Sequence, residues 1–356
     1  MSLQLQKLSL LLRKWLAPLV AISIVLGIFF GLRFPGETQS LSVLIPFTVF
    51  AMLYPPMINI DLSSLRRDIT NIRLMISILL LNFVLSPLVA ALYAQILQPI
   101  DPLLAVGFIL KLSVPAAPMV VAWTGLANGR TETALTAVAF SYLLSFFFIP
   151  FWMLTLAGAI VSVPLNLFMN NLIIYVVVPL VIGALTRLIL LRYRGPSLLN
   201  SVKPALPSIS SIGMFGIVFI IMAREASTIM SHLSSILLIA VGIIVIYPGL
   251  FILSILYSKY VGFEYEDAIG LGYSVTAKSH GLTIALAIST FGGLSVLPAA
   301  FAPIIQIPLM LVIIRIGPRL RRFLHQSELE DSASSEVRIL TPAVNKADIF
   351  TNRKVS

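Results

Sequence analysis

The feature that most constrains this chain is a succession of long apolar segments joined by short polar connections. A helix rises 1.5 Å per residue, so crossing a hydrocarbon core roughly 30 Å thick takes about 20 apolar residues. Hydrophobic residues make up 58% of the 356 residues and charged residues 11%, which is typical of proteins dissolved in lipid. The sequence therefore predicts an all-α membrane protein with about ten transmembrane helices. We place the spans at roughly 15–34, 41–60, 72–98, 102–125, 131–158, 171–193, 205–223, 233–258, 265–292 and 295–318.

Lysine and arginine concentrate on one side of this arrangement. Cytoplasmic loops are enriched in these residues, so their distribution predicts the orientation of the chain. The side opposite the N-terminus carries only Arg33 and Arg224. We therefore predict a multi-pass protein of the cell membrane with both termini cytoplasmic. The side of the N-terminus carries Lys7, Arg13, Lys14, Arg66, Arg67, Arg73, Arg130, Arg187, Arg192, Arg194, Lys203 and Lys259.

The net charge of +10 does not point to a nucleic acid. The basic residues of the chain lie at the ends of apolar runs and form no compact basic stripe with interleaved aromatic residues. The partners that we expect are a small-molecule solute and the lipid bilayer, and no oligomeric state is indicated. Cysteine is absent, which removes disulfides and thiolate metal ligation, and neither a metal nor a cofactor is implied.

The order of the predicted spans suggests an internal repeat. Both halves end in a long run interrupted by polar residues followed by a clean apolar run. Because each half has an odd number of spans, the second half would be inverted in the membrane. We predict a first five-helix repeat at 1–160 and a second, inverted one at 161–322. The segment 323–356, rich in Ser, Glu, Lys and Arg, is predicted to be a disordered cytoplasmic tail.

Helix-interrupting residues lie inside the fourth and ninth predicted spans. The fourth contains LKLSVPAAPMVVAW, with Pro115 and Pro118, and the ninth contains VTAKSHGLTIALAI. A proline in a regular helix costs about 3 kcal/mol or more, so we predict that both spans are broken at mid-membrane. In lipid the freed backbone groups need partners, and such breaks therefore occur where a site is built. The alternative is a simple kink in a packed helix.

Two lysines lie deep in these same spans. Lys111 and Lys278 are each about ten residues from a predicted end, where a lysine costs about 2.5–3.5 kcal/mol. The alternative is that the lysine side chains extend back to the membrane–water interface. Lys111 fits this alternative better than Lys278 does, because Asp101 is close in sequence. No Asp or Glu lies deep in any predicted span. The site is therefore electropositive or neutral and suits an anion, and a lysine that loses its proton there could couple transport to protons.

Small polar residues accompany the two lysines. His280 could relay a proton or bind a solute, although a lone histidine is more often a packed polar residue. The serine and threonine hydroxyls could instead bond back to their own helices. The histidines at 232, 280 and 325 are scattered, so an enzyme is not predicted. The candidate substrate-binding or coupling residues are Lys111, Ser113, Pro115, Pro118, Ser274, Thr276, Lys278, Ser279 and His280.

Three segments of the chain resemble a known family. They are YPPMINIDL at 54–62, PMVVAWTGLANG at 118–129 and AAFAPIIQIPLM at 299–310. Together they are similar to the arsenite-permease branch of the bile acid/sodium symporter superfamily, over nearly all ten spans. The resemblance implies two inverted five-helix repeats, with the fourth and ninth helices unwound and crossing at the substrate site. It also implies a panel domain and a core domain that move against each other.

The chain departs from that family at the positions that matter for its chemistry. Arsenite permeases have a cysteine where Ala116 stands and a glutamate near Gly281. Sodium-coupled members have an acidic residue close to Ser274 and a Ser-Asn pair near 120–121. A glutamine that coordinates the cation in those members falls about where Lys278 stands. The resemblance thus implies that the sodium site is lost and that an ammonium group fills its space.

These observations favour a secondary transporter over other membrane proteins. We expect it to move a small organic anion or oxyanion across the cytoplasmic membrane by alternating access, without sodium coupling. Arsenite efflux is the alternative that the resemblance keeps open. A channel would share the polar breaks, and a sensor would have only the C-terminal tail as its output segment, so both are less favoured.

Overall fold

The computed structural model describes residues 15–59, 72–203, 205–231 and 233–340, and this part of the chain is helical apart from short links. The predicted all-α class is therefore confirmed. The α-helices are α1 (Leu16–Arg33), α2 (Ile45–Asn59), α3 (Ile72–Leu80), α4 (Ser86–Leu97), α5 (Pro102–Ser113), α6 (Val120–Leu126), α7 (Thr131–Trp152), α8 (Leu165–Leu172), α9 (Val178–Val202), α10 (Leu206–Arg224), α11 (Ala226–Ser231), α12 (Leu233–Val261), α13 (Tyr265–Thr276), α14 (His280–Thr290) and α15 (Leu297–Leu340).

Shorter helical turns connect or extend several of these helices. A π-helical turn at Leu81–Leu85 joins α3 to α4, and another at Ile173–Val177 joins α8 to α9. A third, Met153–Ala157, extends α7. 3-10 turns at Pro35–Glu37 and Ser40–Leu44 precede α2, and one at Gly293–Val296 precedes α15.

Seven helical stretches in the described residues are long and apolar enough to cross a membrane. This length and hydropathy confirm a multi-pass membrane protein. Three apolar helices are shorter, at Pro18–Arg33, Pro102–Ser113 and His280–Thr290. The seven stretches are Pro35–Asn59, Ile72–Leu97, Thr131–Ala157, Leu165–Tyr193, Gly195–Arg224, Ile236–Val261 and Gly293–Leu324.

Four helices, α1, α2, α9 and α10, form one layer of the protein, which we call the panel layer. Helix α10 packs extensively on both α1 and α2, and α9 packs on α2. Small residues allow this close approach: a Cβ atom at Gly213 in α10 would lie 2.6 Å from the backbone nitrogen of Met52 in α2. The panel layer therefore takes two helices from each half of the chain.

The helices α3 to α7 and α12 to α15 form a second layer, which we call the core layer. Within it α4 packs on α5, α13 packs on α7 and α12, and α15 packs on α12 and α14. Gly107 in α5 lies against the backbone of Ser295, where a Cβ atom would have no room. Helix α5 begins with Asp101 as its N-cap, whose carboxylate accepts a hydrogen bond from Leu103 N at 2.7 Å, and with Pro102 in the first turn. These contacts fix α5 in the middle of the core layer.

The C-terminal segment differs from the sequence prediction. Helix α15 continues to Leu340, so the predicted tail boundary at residue 323 lies inside a helix. No glycine or proline occurs from Arg319 to Leu340, and Pro342 follows the helix end. Glu, Ala and Leu in this stretch favour helix, which accounts for the continuation. Residues 341–356 lie outside the described residues, as do His232 and the basic residues of the segments 1–14 and 60–71.

Candidate functional site

Two short non-helical links face each other in the core layer. The first, at 114–119, separates α5 from α6 and contains Pro115 and Pro118. The second, at 277–279, separates α13 from α14. Each link is the segment in which the sequence predicted an interruption. The two helix pairs thus bring the ends of four helices together at one place.

The backbones of the two links pair with each other. The N–H and C=O groups of the links have no partners within an α-helix, and buried backbone groups need hydrogen bonds. The pairing of the two links supplies such bonds. Two hydrogen bonds and one antiparallel bridge make the pairing: Ala117 N donates to Ala277 O at 2.7 Å, Ser279 N donates to Pro115 O at 3.0 Å, and Ala116 bridges to Lys278.

Lys278 lies in the second link with its side chain fully buried. Its Nζ donates to two oxygens of one residue, the backbone carbonyl of Asn82 at 3.0 Å and the side-chain Oδ1 at 2.8 Å. The ring of Phe83 lies 5.9 Å from the ammonium nitrogen, within range of a cation–π contact. Asn82 Nδ2 in turn donates to Ser274 Oγ at 3.4 Å. The ammonium group is therefore held by an oxygen cradle.

Asn82 belongs to the candidate site through its contact with Lys278, and it was not predicted from the sequence. It lies in the π-helical turn at Leu81–Leu85, a type of turn that often marks a functional position. Ser86 N donates to Leu81 O, five residues back, and Pro87 has no N–H, so the carbonyl of Asn82 is available to the lysine. A single asparagine in the apolar run LLLNFVL was the signal that could have identified it.

Lys111 lies in the last turn of α5 and is 1% exposed. Its Nζ donates to the backbone carbonyl of Lys278 at 3.1 Å. The side chain therefore points to the links and does not reach back towards Asp101, which caps the other end of α5. Within the described part of the chain neither Lys111 nor Lys278 pairs with a carboxylate.

Physical magnitudes indicate how weakly Lys111 is held when charged. A cation in the last turn of a helix gains about 0.3–1 kcal/mol from the helix dipole, and up to about 2 kcal/mol in favourable sites. An unsatisfied buried donor costs about 1–3 kcal/mol, and more when it is charged. An ammonium has three donors, and Lys111 has one acceptor. The cost of two unsatisfied N–H donors exceeds the stabilisation by the helix dipole. The charged form of Lys111 therefore needs a further acceptor.

The predicted hydroxyls divide into two groups. Ser113 Oγ donates back to Ile109 O at 2.8 Å, and Thr276 Oγ1 donates back to Gly272 O at 2.7 Å. Ser274 also donates to its own helix while it accepts from Asn82. These bonds stabilise the helix ends at the links.

Ser279 supports the second link from the start of α14. As the N-cap of α14 it accepts from Leu282 N at 3.4 Å, and it also accepts from Tyr142 OH in α7 at 3.2 Å. The neighbouring Ser141 Oγ accepts from Ala116 N of the first link at 3.2 Å. Helix α7 therefore braces both links through Ser141 and Tyr142, a polar pair in an apolar span that the sequence analysis did not single out.

His280 begins α14 beside these groups. Its ring is partly exposed, whereas Nδ1 is buried and has no hydrogen-bond partner among the described residues. Helix α14, which His280 begins, packs on α5, the helix that carries Lys111. His280 is thus the partly exposed titratable group next to the buried lysines.

The panel layer covers the start of α14. A Cβ atom at Gly281 would lie 2.8 Å from Cε and 2.9 Å from Sδ of Met52 in α2. Both are atoms near the end of a flexible side chain. The site in the links therefore lies next to the boundary between the panel and core layers, with Met52 filling the space at Gly281.

A second polar cluster lies at the start of α13. Arg130 pairs with Glu264 and with Asp267 at 2.7 Å each, and Asp267 also accepts from Thr133. Arg321 of α15 pairs with Glu266. A cavity of about 420 Å³ adjoins the cluster and is lined by Arg130, Phe263, Glu264, Tyr265, Glu266, Arg321 and Leu324.

An all-helical chain with several apolar helices around buried polar links is a polytopic membrane protein, which defines its class. The sequence profile of the Sodium Bile acid symporter family matches residues 46–232, more than half of the chain, and the protein belongs to that family.

Curated relatives extend the similarity to most of the chain. It is similar to the arsenical-resistance protein Acr3 of Corynebacterium glutamicum, with 23% identity over 92% of this chain and 95% of the relative. It is also similar to Acr3 of Alkaliphilus metalliredigens, with 26% identity over 87% of this chain and 93% of the relative. Sodium/bile acid cotransporter 7 of Xenopus tropicalis is 25% identical over 72% of this chain and 76% of the relative. The protein is therefore a secondary membrane transporter and not an enzyme, with a small-molecule solute and membrane lipid as partners.

Proposed function

We propose that the protein carries a small organic anion or oxyanion across the cell membrane by alternating access, without sodium coupling. The observation that carries this proposal is the pair of buried lysines, Lys111 and Lys278, at the paired links. In the described residues they face no carboxylate partner, so an anionic solute would supply the missing acceptor and counter-charge. A positive centre of this kind disfavours a cationic solute.

The proposed site combines the two links with residues that hold them. Lys111 and His280 contact the solute, and Lys278 fixes the positive charge. The remaining predicted residues shape the links: Ser113, Pro115, Pro118, Ser274, Thr276 and Ser279. The positioning residues are Asn82, Ser141 and Tyr142. Asn82 accepts from Lys278, Ser141 accepts from Ala116 of the first link, and Tyr142 donates to Ser279 of the second link.

The architecture that we propose has ten spans in two inverted five-helix repeats, at 1–160 and 161–322. In this arrangement α5 and α6 are the halves of a fourth span broken at mid-membrane, and α13 and α14 are the halves of a ninth. One lysine lies in the last helical turn before the first link and the other lies within the second, and each half of the chain contributes two helices to the panel layer, which supports the repeat. Movement of the panel layer against the core layer would expose the site alternately. Both termini would be cytoplasmic, as the lysine and arginine distribution indicates.

The absence of sodium coupling rests on the surroundings of Lys278. Its ammonium nitrogen lies between two oxygens of Asn82, at 3.0 and 2.8 Å, where a small cation would otherwise be attracted. Because the ammonium of Lys278 already supplies a positive charge at these oxygens, a sodium ion is not needed there. Imposing an inward sodium gradient should therefore leave the transport rate unchanged.

The test is uptake into proteoliposomes that contain the full-length protein. The probes are radiolabelled pyruvate, succinate, benzoate and phosphate, each with and without a sodium gradient. We expect saturable uptake of at least one probe, loss of uptake in Lys278→Ala, and wild-type rates in Lys203→Ala, a half-buried lysine outside the site. Absence of uptake for all four anions, or uptake that requires sodium, contradicts the proposal.

Arsenite efflux is the second candidate, because two relatives named arsenical-resistance protein Acr3 match 92% and 87% of this chain. Arsenite is mostly neutral at pH 7, so it does not by itself call for two lysines, and Ala116 stands where those permeases have a cysteine. The test is arsenite accumulation in arsenite-sensitive cells with verified membrane expression. Lower accumulation with the wild type but not with Lys278→Ala would support arsenite efflux, and unchanged accumulation would favour the anion panel.

A further inference from the structure

The two buried lysines differ in the number of acceptors for their Nζ atoms, and this difference indicates separate roles. We infer that in the empty transporter Lys278 is an ammonium, whereas Lys111 is a neutral amine that takes up one proton together with the anion. This inference rests on the proposed anion transport, and it goes beyond that proposal by naming the coupling ion and the atom that carries it. The protein would then move an anion and a proton in the same direction.

The hydrogen-bond acceptors distinguish the two ammonium groups. Lys278 Nζ has two oxygen acceptors and an aromatic face, supplied by Asn82 and Phe83. Lys111 Nζ has one acceptor, the carbonyl of Lys278. A neutral amine has two N–H donors and a lone pair, so one acceptor leaves it far less unsatisfied than it leaves an ammonium with three donors. Lys278 is therefore stable when charged, and Lys111 is not until another acceptor arrives.

The charges around Lys111 act in the same direction. Lys278 accepts a hydrogen bond from Lys111 through its carbonyl, and His280 begins the helix α14 that packs on α5, so a positive charge on either residue opposes one on Lys111. Among the other described elements packed on α5, helix α4 contributes Tyr93, which packs on Phe108, and α7 contributes Tyr142, which bonds to Ser279.

Carboxylates are too distant to stabilise a proton on Lys111. Glu132 is exposed at the start of α7, and Asp101 caps the opposite end of α5. Helix α15, which also packs on α5, has no charged residue before Arg315. These described carboxylates do not reach Lys111, so the solute would supply the negative charge.

Anion and proton binding reinforce each other in this arrangement. The proton moves from water on the loading side to the lone pair of Lys111 Nζ, and an oxygen of the anion accepts a hydrogen bond from the ammonium that forms. Each ligand raises the affinity for the other by the same factor, because coupling between two sites is reciprocal. On the opposite side the anion leaves, the proton returns to water, and Lys111 is again a neutral amine.

The first test needs no solute. In solid-state NMR of the full-length protein in lipid, with ¹⁵N-labelled lysine, a neutral amine and an ammonium give separate Nζ resonances. The chain has eight lysines, so the spectrum is simple. We expect one neutral resonance near pH 7 that is lost in Lys111→Gln and kept in the control Lys203→Gln. Two ammonium groups in the site, or a neutral resonance that instead disappears in Lys278→Gln, overturns the inference.

The second test measures proton movement in proteoliposomes with an internal pH dye and an inward gradient of succinate, pyruvate, benzoate or phosphate. The wild type should acidify the interior with each anion that it takes up. Lys111→Arg keeps a charge that cannot be released, and we expect it to bind the anion without acidification. Anion uptake without acidification in the wild type overturns the inference. No anion uptake, with the neutral resonance still at Lys111, contradicts the proposed function alone.

Discussion

At the scale of single residues, the two buried lysines differ in how their side chains are held. The sequence could predict Lys111 and Lys278 as unusual, because charged residues deep in apolar runs are visible without a structure. It could not predict Asn82, because the lysine–asparagine contact joins positions 196 residues apart. Long-range pairing of this kind depends on packing, which residue periodicity does not describe.

The asparagine cradle leads to a prediction about charge. Asn82→Leu removes one acceptor of the buried ammonium, and we expect it to lower the free energy of unfolding by about 1–3 kcal/mol and to abolish transport. Asn82→Asp keeps an oxygen acceptor and adds a negative charge. It should retain thermal stability near that of the wild type and yet lose anion uptake, because the site is then neutralised.

The measurement is thermal unfolding in detergent combined with uptake in proteoliposomes for both variants. Equal loss of stability in the two variants would mean that the asparagine packs and does not hold a charge. Anion uptake that survives in Asn82→Asp would show that the positive charge of Lys278 is dispensable.

At the scale of the elements, the site is a consequence of two helix interruptions that meet. Pro115 and Pro118 were enough to predict that a helix would stop in this stretch, and α5 does end at Ser113. The second interruption has no proline, and its position follows from the pairing of 277–279 with the first link and from the capping of α14 by Ser279. Tertiary contacts therefore determine the second link, whereas local sequence determines the first.

The capping of α14 can be tested separately from its bracing by α7. Ser279→Ala removes both the N-cap of α14 and the acceptor of Tyr142 OH, and the loss of the cap alone should cost about 0.5–2 kcal/mol of stability. Tyr142→Phe leaves the cap in place and removes only the bond from α7 to Ser279, so we expect a smaller loss of about 0.5–1.5 kcal/mol. Chemical denaturation of both variants in mixed micelles measures the difference, and a larger loss for Tyr142→Phe would contradict this assignment.

The cluster at the start of α13 gives a prediction of rank order. Glu264 and Arg130 are largely exposed, so Glu264→Gln should change stability by no more than about 1 kcal/mol. Asp267 is buried and accepts from both Arg130 and Thr133. Asp267→Ala leaves Thr133 without this acceptor and Arg130 with Glu264 alone, so it should cost more than Glu264→Gln does. Thermal unfolding of the two variants side by side checks this order, which an equal effect would contradict.

At the scale of the whole molecule, the helices form two layers that meet next to the paired links. Hydrophobic runs were sufficient to predict a helical membrane protein, because length and hydropathy are properties of local sequence. They did not predict that α1, α2, α9 and α10 would group together, since residues far apart in the chain make those contacts. The family resemblance supplied a panel and a core as expectations, and the helix packing supports this proposal.

The boundary between the two layers gives a prediction at Gly281. A methyl group there would meet the end of the Met52 side chain, so Gly281→Ala should slow anion uptake by obstructing movement of the panel layer. Met52→Ala in the same chain opens space and should restore much of the rate. Uptake rates of the single and double variants measure this coupling. No recovery in the double variant would locate the defect in α14 itself.

In the proposed function, the two buried lysines allow the protein to carry an anion without a sodium ion. The most direct measurement is anion uptake by proteoliposomes in sodium buffer and in choline buffer, for the wild type and for Lys278→Gln. We expect equal wild-type uptake of pyruvate, succinate, benzoate or phosphate in the two buffers, and no uptake by Lys278→Gln in either. Wild-type uptake that disappears in choline, or full uptake by Lys278→Gln, would contradict the proposed function.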